Sequence, residues 1–560
     1  MSEQRIANVV AAFMLVILAA CGGGGSSSTG STSSTGSGSS GSTPSGASAP
    51  SGASTPASTS TAAWSGIQQD SAPYDYLAAA EDSPPLNTAS SSGFALTTDQ
   101  QGNVIIGGST DGTFTKLTLG EQEPQMLPGD AFVAKYNSAG VLQWGTQLLD
   151  AHSDAGGWGL GLPGGVDDIP SGNAGFDAVS GIAADSTGNI FAVGTTLAGG
   201  VSGESFAESA FIAKLGPNGN RLWIHGLGAT TGSLITGGNA IAVDSSGNAY
   251  IVGQTSASLP GQTFLGTGNI TNYFIAKYDS SGNRQWLLQR VFNDPSHVGP
   301  ASSVAIGVAV DSSGSVYLTG GTDYHPFVDK FNGSGALQWE TYMPAVIQNV
   351  GAGFTNTWSA GVPTSIAVST DGSKVFIAGG TIVELAEAGT PHTPSGSSDA
   401  FVTLFNGSGV QQWSQTLEAS TTTACGPTSI PVCGFGTQAY SIAAKPDGSA
   451  VFITGFTFGA LPGQTATNPQ ANNGTSSNII AAGIDSSGKV LWTKQMGAGP
   501  FNGSVGAPGK DVGYGVGMDA SGDVFVTGVT EGHLGVWGAG ANGGDNWFVM
   551  KMNPATGSVY

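Results

Sequence analysis

The sequence predicts an all-β chain built from seven four-stranded units, and three observations predict it. Only 9% of the 560 residues are charged while Gly alone supplies 91, a composition that opposes helices and suits short strands joined by Gly-bearing turns. One line recurs seven times, and six of its copies end in Trp. A second line, also present seven times, precedes each copy of the first.

The chain opens on an address rather than a fold. Arg5 precedes "IANVVAAFMLVIL", an apolar run too short to span a bilayer, and "LAAC" follows. Leu18-Ala19-Ala20-Cys21 resembles a bacterial lipobox, which implies a signal peptide over residues 1–20 and lipidation of Cys21. Gly22 stands where Asp would direct retention at the inner membrane, so export to the outer membrane or cell surface is expected. Residues 21–61 are Gly, Ser and Thr-rich and predict a flexible tether, and residues 62–560 form the folded body.

Within that body the second line reads "FALTTDQQGNVIIGG", "GIAADSTGNIFAVG", "AIAVDSSGNAYIVG", "GVAVDSSGSVYLTG", "SIAVSTDGSKVFIAG", "SIAAKPDGSAVFITG" and "GVGMDASGDVFVTG". The first line reads "FVAKYNSAGVLQW", "FIAKLGPNGNRLW", "FIAKYDSSGNRQW", "FVDKFNGSGALQW", "FVTLFNGSGVQQW", the degraded "IIAAGIDSSGKVLW", and "FVMKMNPATGSVY". Each line is two apolar runs around a turn of the type Asp-Ser-Ser-Gly-Asn or a close variant, hence one hairpin. Two hairpins in series give strands A to D. Seven such units in tandem predict a seven-bladed β-propeller of four-stranded antiparallel blades, because radial packing leaves only short edges, whereas a string of sandwiches would expose many.

The two lines resemble the SBBP family, the seven-bladed β-propeller repeat of exported bacterial proteins, from about Gly93 to the end. The resemblance implies a fold and little chemistry, since the family has no single established activity. The "D-x-x-G-x-x-x-W" pattern also resembles the docking motif of pyrroloquinoline quinone dehydrogenases. Their usual eight blades and their additional Cys and cation-ligand motifs are not found in this sequence.

Trp144, Trp223, Trp286, Trp339, Trp413 and Trp492 occupy one position on strand D, which predicts packing between neighbouring blades. Aligned on its turn Gly557, the last copy would place its Trp at position 561; "TAAWSGIQQD" near the N-terminus carries Trp64 instead. An N-terminal strand at residues 62–69 is therefore expected to close the last blade. Aligning on Asn553 would put Tyr560 at the Trp position.

Loop lengths separate the two rims. The A–B and C–D turns are tight, while the B–C and D–A connections are long, so the added sequence gathers on one face. Trp158, Trp358 and Trp537 fall in those connections and, with Tyr324, are the ligand-binding candidates. Asp294 and His297 of "NDPSHVG" and Asp323 and His325 of "TDYHPF" are the candidates for acid–base or metal chemistry. His152, Asp154, Asp167 and Asp168 form an acidic loop with carboxylates suited to Ca²⁺, the one cofactor the sequence offers. Cys425 and Cys433 are read as a disulfide in an exported chain, with a two-thiol metal site as the alternative. The recurring Lys135, Lys214, Lys277, Lys330 and Lys551 occupy one strand position and are read as scaffold.

A net charge of −22 opposes binding to nucleic acid. The function expected is a monomeric surface lipoprotein, held to a membrane by its N-terminal lipid, whose propeller is a non-catalytic platform for an extracellular polymer or protein. The alternatives are a polysaccharide lyase or hydrolase using His and Asp or Glu from the long loops, and then a quinoprotein oxidoreductase.

Overall fold

A computed structural model describes residues 67–69, 91–110, 130–148, 177–198, 207–228, 235–265, 270–292, 301–322, 325–343, 348–350, 354–356, 362–381, 399–418, 436–464, 477–497, 511–530 and 546–560. Among them are seven four-stranded antiparallel sheets and no helix. The strands run in the order A to D. Blade 1 is Ser91–Thr98, Val104–Thr110, Asp130–Tyr136 and Leu142–Gln147. Blade 2 is Asp177–Ala184, Ile190–Ala198, Ala207–Leu215 and Arg221–Leu227. Blade 3 is Thr236–Val243, Ala249–Thr255, Asn272–Tyr278 and Arg284–Arg290. Blade 4 is Ser303–Val310, Val316–Thr322, Pro326–Phe331 and Leu337–Tyr342. Blade 5 is Val362–Val368, Lys374–Thr381, Asp399–Asn406 and Gln411–Leu417. Blade 6 is Thr437–Ala444, Ala450–Thr457, Asn478–Asp485 and Val490–Met496. Blade 7 is Asp511–Met518, Val524–Thr530, Asn546–Met552 and, as its outer strand, Ile67–Gln69.

Strand A of each blade contacts strand A of both neighbours, and those of blades 7 and 1 meet, so the ring is closed with the A strands innermost. Burial follows this radial order. Strand B, flanked on both edges and both faces, is buried along its whole length in blades 3, 6 and 7. Strand D of blade 3 is exposed at its turn end and half-buried beyond it. A small hairpin, Gln348–Val350 with Phe354–Asn356, lies in the connection between blades 4 and 5, where the repeat pattern gave no signal.

The recurring turn explains itself in blade 3. Asp279 Oδ1 accepts from the backbone N–H of Ser281 and of Asn283, both at 2.9 Å, and Gly282 N–H donates to the Asp279 carbonyl at φ +88°. Asp closes the turn with its side chain, and Gly accepts the left-handed backbone that other residues resist.

That same Gly is also a docking surface. Each strand-D Trp lies over the turn Gly of the following blade and donates its indole N–H to a carbonyl of that turn. Trp144 reaches Pro217 O at 2.9 Å, Trp286 reaches Gly333 O at 3.3 Å, Trp413 reaches Ser486 O at 2.9 Å and Trp492 reaches Pro554 O at 2.8 Å. Trp223 and Trp339 do the same to Ser280 O and Gly407 O. A Cβ on Gly219 would stand 2.7 Å from the Trp144 ring, so the indole needs a residue without a side chain there.

Blade 7 corrects the alignment on Gly557. Its C–D turn is one residue longer, with Gly557 N–H donating to Asn553 O, four positions back instead of three. The other six blades place a bulge beside the Trp; here the extra residue is inside the turn. Met552 pairs with Val559 and Tyr560 N–H donates to Lys551 O, so Tyr560 faces Lys551, as Trp286 faces Lys277. Its hydroxyl donates to Asp523 Oδ1 at 2.8 Å, on the A–B turn of its own blade. The expected N-terminal strand is present: Ile67, Gln68 and Gln69 pair with Val549, Phe548 and Trp547. The outer edge of strand C is thus covered from both ends of the sequence. Trp64 lies outside the described residues, and Trp547 is a core residue 1% exposed.

Two outcomes test this closure. Deleting residues 62–69 is expected to lower the melting temperature sharply, because it bares the edge of blade 7; an unaltered melting curve would refute the closure. Tyr560→Phe removes the hydroxyl's bonds to Asp523 and Asn553 and is expected to cost about 1 kcal/mol in denaturant unfolding, with no loss at all counting against its role.

Candidate functional site

Most polar side chains that recur with the repeat are spent on the scaffold. Lys135 forms an ion pair with Asp99 at 2.8 Å, Lys551 with Asp523 at 2.8 Å, and Lys214 with Asp185 at 3.9 Å. Lys214 and Lys277 also donate to turn carbonyls of the next blade, Ser280 O at 3.0 Å and Gly333 O at 3.2 Å. Four of these lysines sit over a strand-B aromatic: Lys214 over Phe191, Lys277 over Tyr250, Lys330 over Tyr317 and Lys551 over Phe525. Burial acts to raise the Asp99 carboxyl, but donors from Asn103 and Lys135 outweigh it and hold the group below its ordinary range. These lysines belong to blade packing, as their strand position implied.

Of the candidates named from sequence, His325 lies among the described residues. It is buried at the start of strand C of blade 4, its backbone closing a short turn with Thr322, and its ring meets Tyr342 edge-on at 5.5 Å. His225 is stacked between Trp223 and Tyr278. Cys21, His152, Asp154, Trp158, Asp167, Asp168, Asp294, His297, Asp323, Tyr324, Trp358, Cys425, Cys433 and Trp537 lie outside the described residues. Among the described residues no three His, Cys, Asp or Glu side chains gather as a metal site.

The seven copies provide an internal standard, and one seam departs from it four times. The residue before the Phe of strand C is Ala131, Ala210, Pro326, Ala400, Ile479 or Trp547, but Tyr273 in blade 3. Two residues after that Phe stand Ala134, Ala213, Ala276, Thr403, Ala482 and Met550, but Asp329 in blade 4. The cross-strand partner of Tyr273 is Arg290, where blades 2, 5 and 6 have Leu227, Leu417 and Met496. The partner of Asp329 is Glu340, where blades 1, 2 and 3 have Gly145, Ile224 and Leu287.

These four residues meet between blades 3 and 4. Tyr273 donates its hydroxyl to Asp329 Oδ2 at 2.7 Å, and Arg290 Nε–H donates to the same Tyr273 oxygen at 3.0 Å. The other end of the guanidinium is 3.7 Å from Glu340 Oε2, and Phe331 lies beneath it with the ring centroid 5.8 Å away. Asp329 and Tyr273 are fully buried, and Asp329 Oδ1 has no hydrogen-bond partner among the described residues. Burial pushes the Asp329 carboxyl up to about 7; Glu340 adds to the rise, while Tyr273 and Arg290 oppose it. Burial, and then Asp329, holds the Tyr273 hydroxyl well above its ordinary range. Arg290 and Glu340 each keep more than a quarter of their side chains exposed, 29% and 27%, and Tyr342 beside them is 41% exposed. The seam therefore presents part of a guanidinium, part of the Glu340 side chain, whose Oε2 is itself buried, and a phenol to solvent above a buried acid.

A second departure lies on the innermost strands. Each strand A bulges after its third or second residue, and in blades 2, 3 and 5 the bulged side chain bonds to the next blade. Ser180 donates to Gly238 O at 2.5 Å, Asn239 to Ala305 O at 2.8 Å and Thr364 to Ala439 O at 2.7 Å. In blades 6, 7 and 1 the bulged residues are Tyr440, Tyr514 and Phe94, in contact at 5.4 Å centroid separations. One side of the axis is thus hydrogen-bonded and the other aromatic.

One paired feature lies outside the two recurring lines. "LPGQT" occurs at residues 259–263 and again at 461–465. In each case a strand-D Gln holds the B–C connection: Gln289 accepts from Leu259 N–H and donates to Ala257 O, and Gln495 does the same with Leu461 and Gly459.

Residues 222–260 match the SBBP family model, a beta-propeller repeat. No curated protein matches the sequence. Among solved structures the chain is similar to a protein from Lactobacillus plantarum, at 13% identity over 80% of this chain and 99% of that one, with a TM-score of 0.36. It is similar to a protein of unknown function from Dyadobacter fermentans, at 13% identity over 67% and 92%, TM-score 0.36. A Hadza microbial sialidase aligns at 12% identity over 65% and 63%, TM-score 0.35.

Removing the hydroxyl of Tyr273 tests the geometry of the buried acid. Tyr273→Phe takes away a donor that favours the ionised form, so the Asp329 carboxyl is expected to titrate above about 7. Carboxyl-carbon NMR against pH reads this directly; a downward or absent shift would contradict the hydrogen bond.

Proposed function

We propose that this ring of propeller repeats is an exported, lipid-anchored binding platform that holds an extracellular polymer on the rim of the long connections and performs no chemistry on it. In this reading Cys21 carries the lipid and residues 22–61 space the ring from the membrane surface. One observation carries the proposal: the chain breaks its own repeat at the blade 3–4 seam. Arg290 and Tyr342 are the last residues of their D strands, and Tyr273 is second in its C strand, all at the ends joined by the longer connections. The opposite rim is made from tight turns whose Asp residues close their own blade and whose Gly, Lys and Trp residues join neighbouring blades.

A planar guanidinium fixed on a phenol and a Phe ring is a preorganised donor, and Tyr342 adds an apolar face with a polar tip. Such groups recognise chains that alternate hydroxyls or carboxylates with apolar surface. A polysaccharide-active enzyme is the second reading. It draws support from Asp329 and Tyr273, an acid near neutrality beside a phenol, which is the range a proton-transfer group uses. The complete burial of Asp329 speaks for a role behind the surface instead.

A glycan array probed with the intact ring and with Tyr342→Ala tests the platform. Binding is expected for the wild type, with an affinity about tenfold lower in the variant. Product release from a bound glycan would favour the enzyme; an array with no bound glycan would overturn the polymer and direct the search to a protein ligand.

A further inference from the structure

We infer that blades 3 and 4 are joined by a proton: with Asp329 neutral the outer part of their seam is closed, and ionisation of Asp329 loosens it. The inference is independent of what the rim binds.

Both blades supply groups that face Asp329. From blade 3 come Tyr273 on strand C and Arg290 on strand D. From its own blade come Glu340 on strand D and Leu318 on strand B, its two cross-strand partners. His325 lies four residues back, on the same face of strand C by strand alternation. A neutral carboxyl in this setting leaves one polar atom short of a partner. A carboxylate leaves a full charge with a single hydroxyl donor, a much larger cost in a buried site.

Arg290 offsets only part of that charge where it stands. Its Nε–H is spent on the Tyr273 oxygen, and its far end is drawn toward Glu340. Ionised Asp329 is compensated only if Arg290 moves inward, away from Glu340, or if the strands part to let water reach Oδ1. Either movement acts on the D strand of blade 3 and the C and D strands of blade 4. Two carboxylates on adjacent strands then compete for one guanidinium, which further weakens the closed arrangement.

The sign follows from linkage. The folded-state carboxyl titrates at about 7, above the roughly 3.9 of an unfolded Asp. The closed seam therefore has its full stability below about pH 4, and loses it progressively as pH rises through about 7.

Hydrogen exchange on the full-length protein tests this, using amides of Arg284–Arg290 and Leu337–Tyr342 corrected for the intrinsic pH dependence of exchange. The opening constant of the seam is expected to rise on the order of a hundredfold between pH 5 and pH 8. Asp329→Asn, which mimics the neutral acid, and Asp329→Ala, which restores the residue used by blades 1, 2, 3 and 6, are expected to remove that rise. Amides of Ala450–Thr457 in blade 6 are expected to show no such rise in any variant. A wild type whose seam opens no more at pH 8 than its variants would overturn the inference. Should neither variant fold, carboxyl-carbon NMR of the wild type decides: an Asp329 midpoint near 7 supports the proton joint, and one below 5 refutes it.

Discussion

The ring depends on one contact made six times: an indole laid on a glycine. In six blades the third residue of strand D is Trp, and the C–D turn of the next blade presents Gly at positive φ with a carbonyl beside it. The two residues that mark the repeat most visibly are therefore the two halves of a single joint, read from successive copies. Gly is required twice over, once for its backbone angle and once because a Cβ would strike the ring. Each indole N–H bond is worth only about 1 kcal/mol net, and burial of the ring adds more. What makes the joint decisive is that it fixes the angle between blades, and six repetitions of that angle bring the ends of the chain together.

At the junction of the ends the joint changes form. Strand C of blade 7 receives Val559 and Tyr560 at its turn end and Ile67, Gln68 and Gln69 at its other end. Tyr560 occupies the register of the Trp but sends its hydroxyl back to Asp523 in the same blade. A phenol at this place locks two hairpins of one blade together, whereas an indole joins two blades. The closure thus relies on strand pairing and on the packing of Trp547 with Phe132 and Tyr136 across the seam to blade 1.

The architecture was legible because it is periodic. A turn ending in Gly recurs fourteen times, ten of them as Asp/Asn-x-x-Gly, and gave the hairpins, while the Trp period gave the blades. The lysines were rightly read as scaffold because their position repeats. The seam between blades 3 and 4 was visible only as small breaks in that pattern: "FVDKF" where Ala is usual, and Arg290 where Leu or Met closes strand D. Each break alone is a single substitution. Their convergence depends on which face of a strand meets which neighbour, and that geometry lies across a blade boundary rather than along the chain. His325 was read with the histidines of the long-connection rim, although "TDYHPF" is much shorter than the other B–C connections. The shortness itself is what pulls His325 into the blade.

Closure also decides how such a seam can move. In an open arc, loosening one joint would let everything beyond it swing. In a closed ring the flanking blades are held by the other six seams, so blades 3 and 4 can part only locally. Three of their points of contact are pinned by bonds to backbone groups. Asn239 donates to Ala305 O at the axis. Trp286 and Lys277 both donate to Gly333 O at the turn rim. Thr271 N–H donates to Ser302 Oγ and Ser303 N–H to Thr271 O on the far rim. None of the backbone acceptors titrates in the range where Asp329 does. The outer corner, where Tyr273, Arg290, Asp329 and Glu340 meet, is held instead by side chains whose charges change with a proton. A rigid ring with one protonatable corner can adjust a surface site without surrendering its closure.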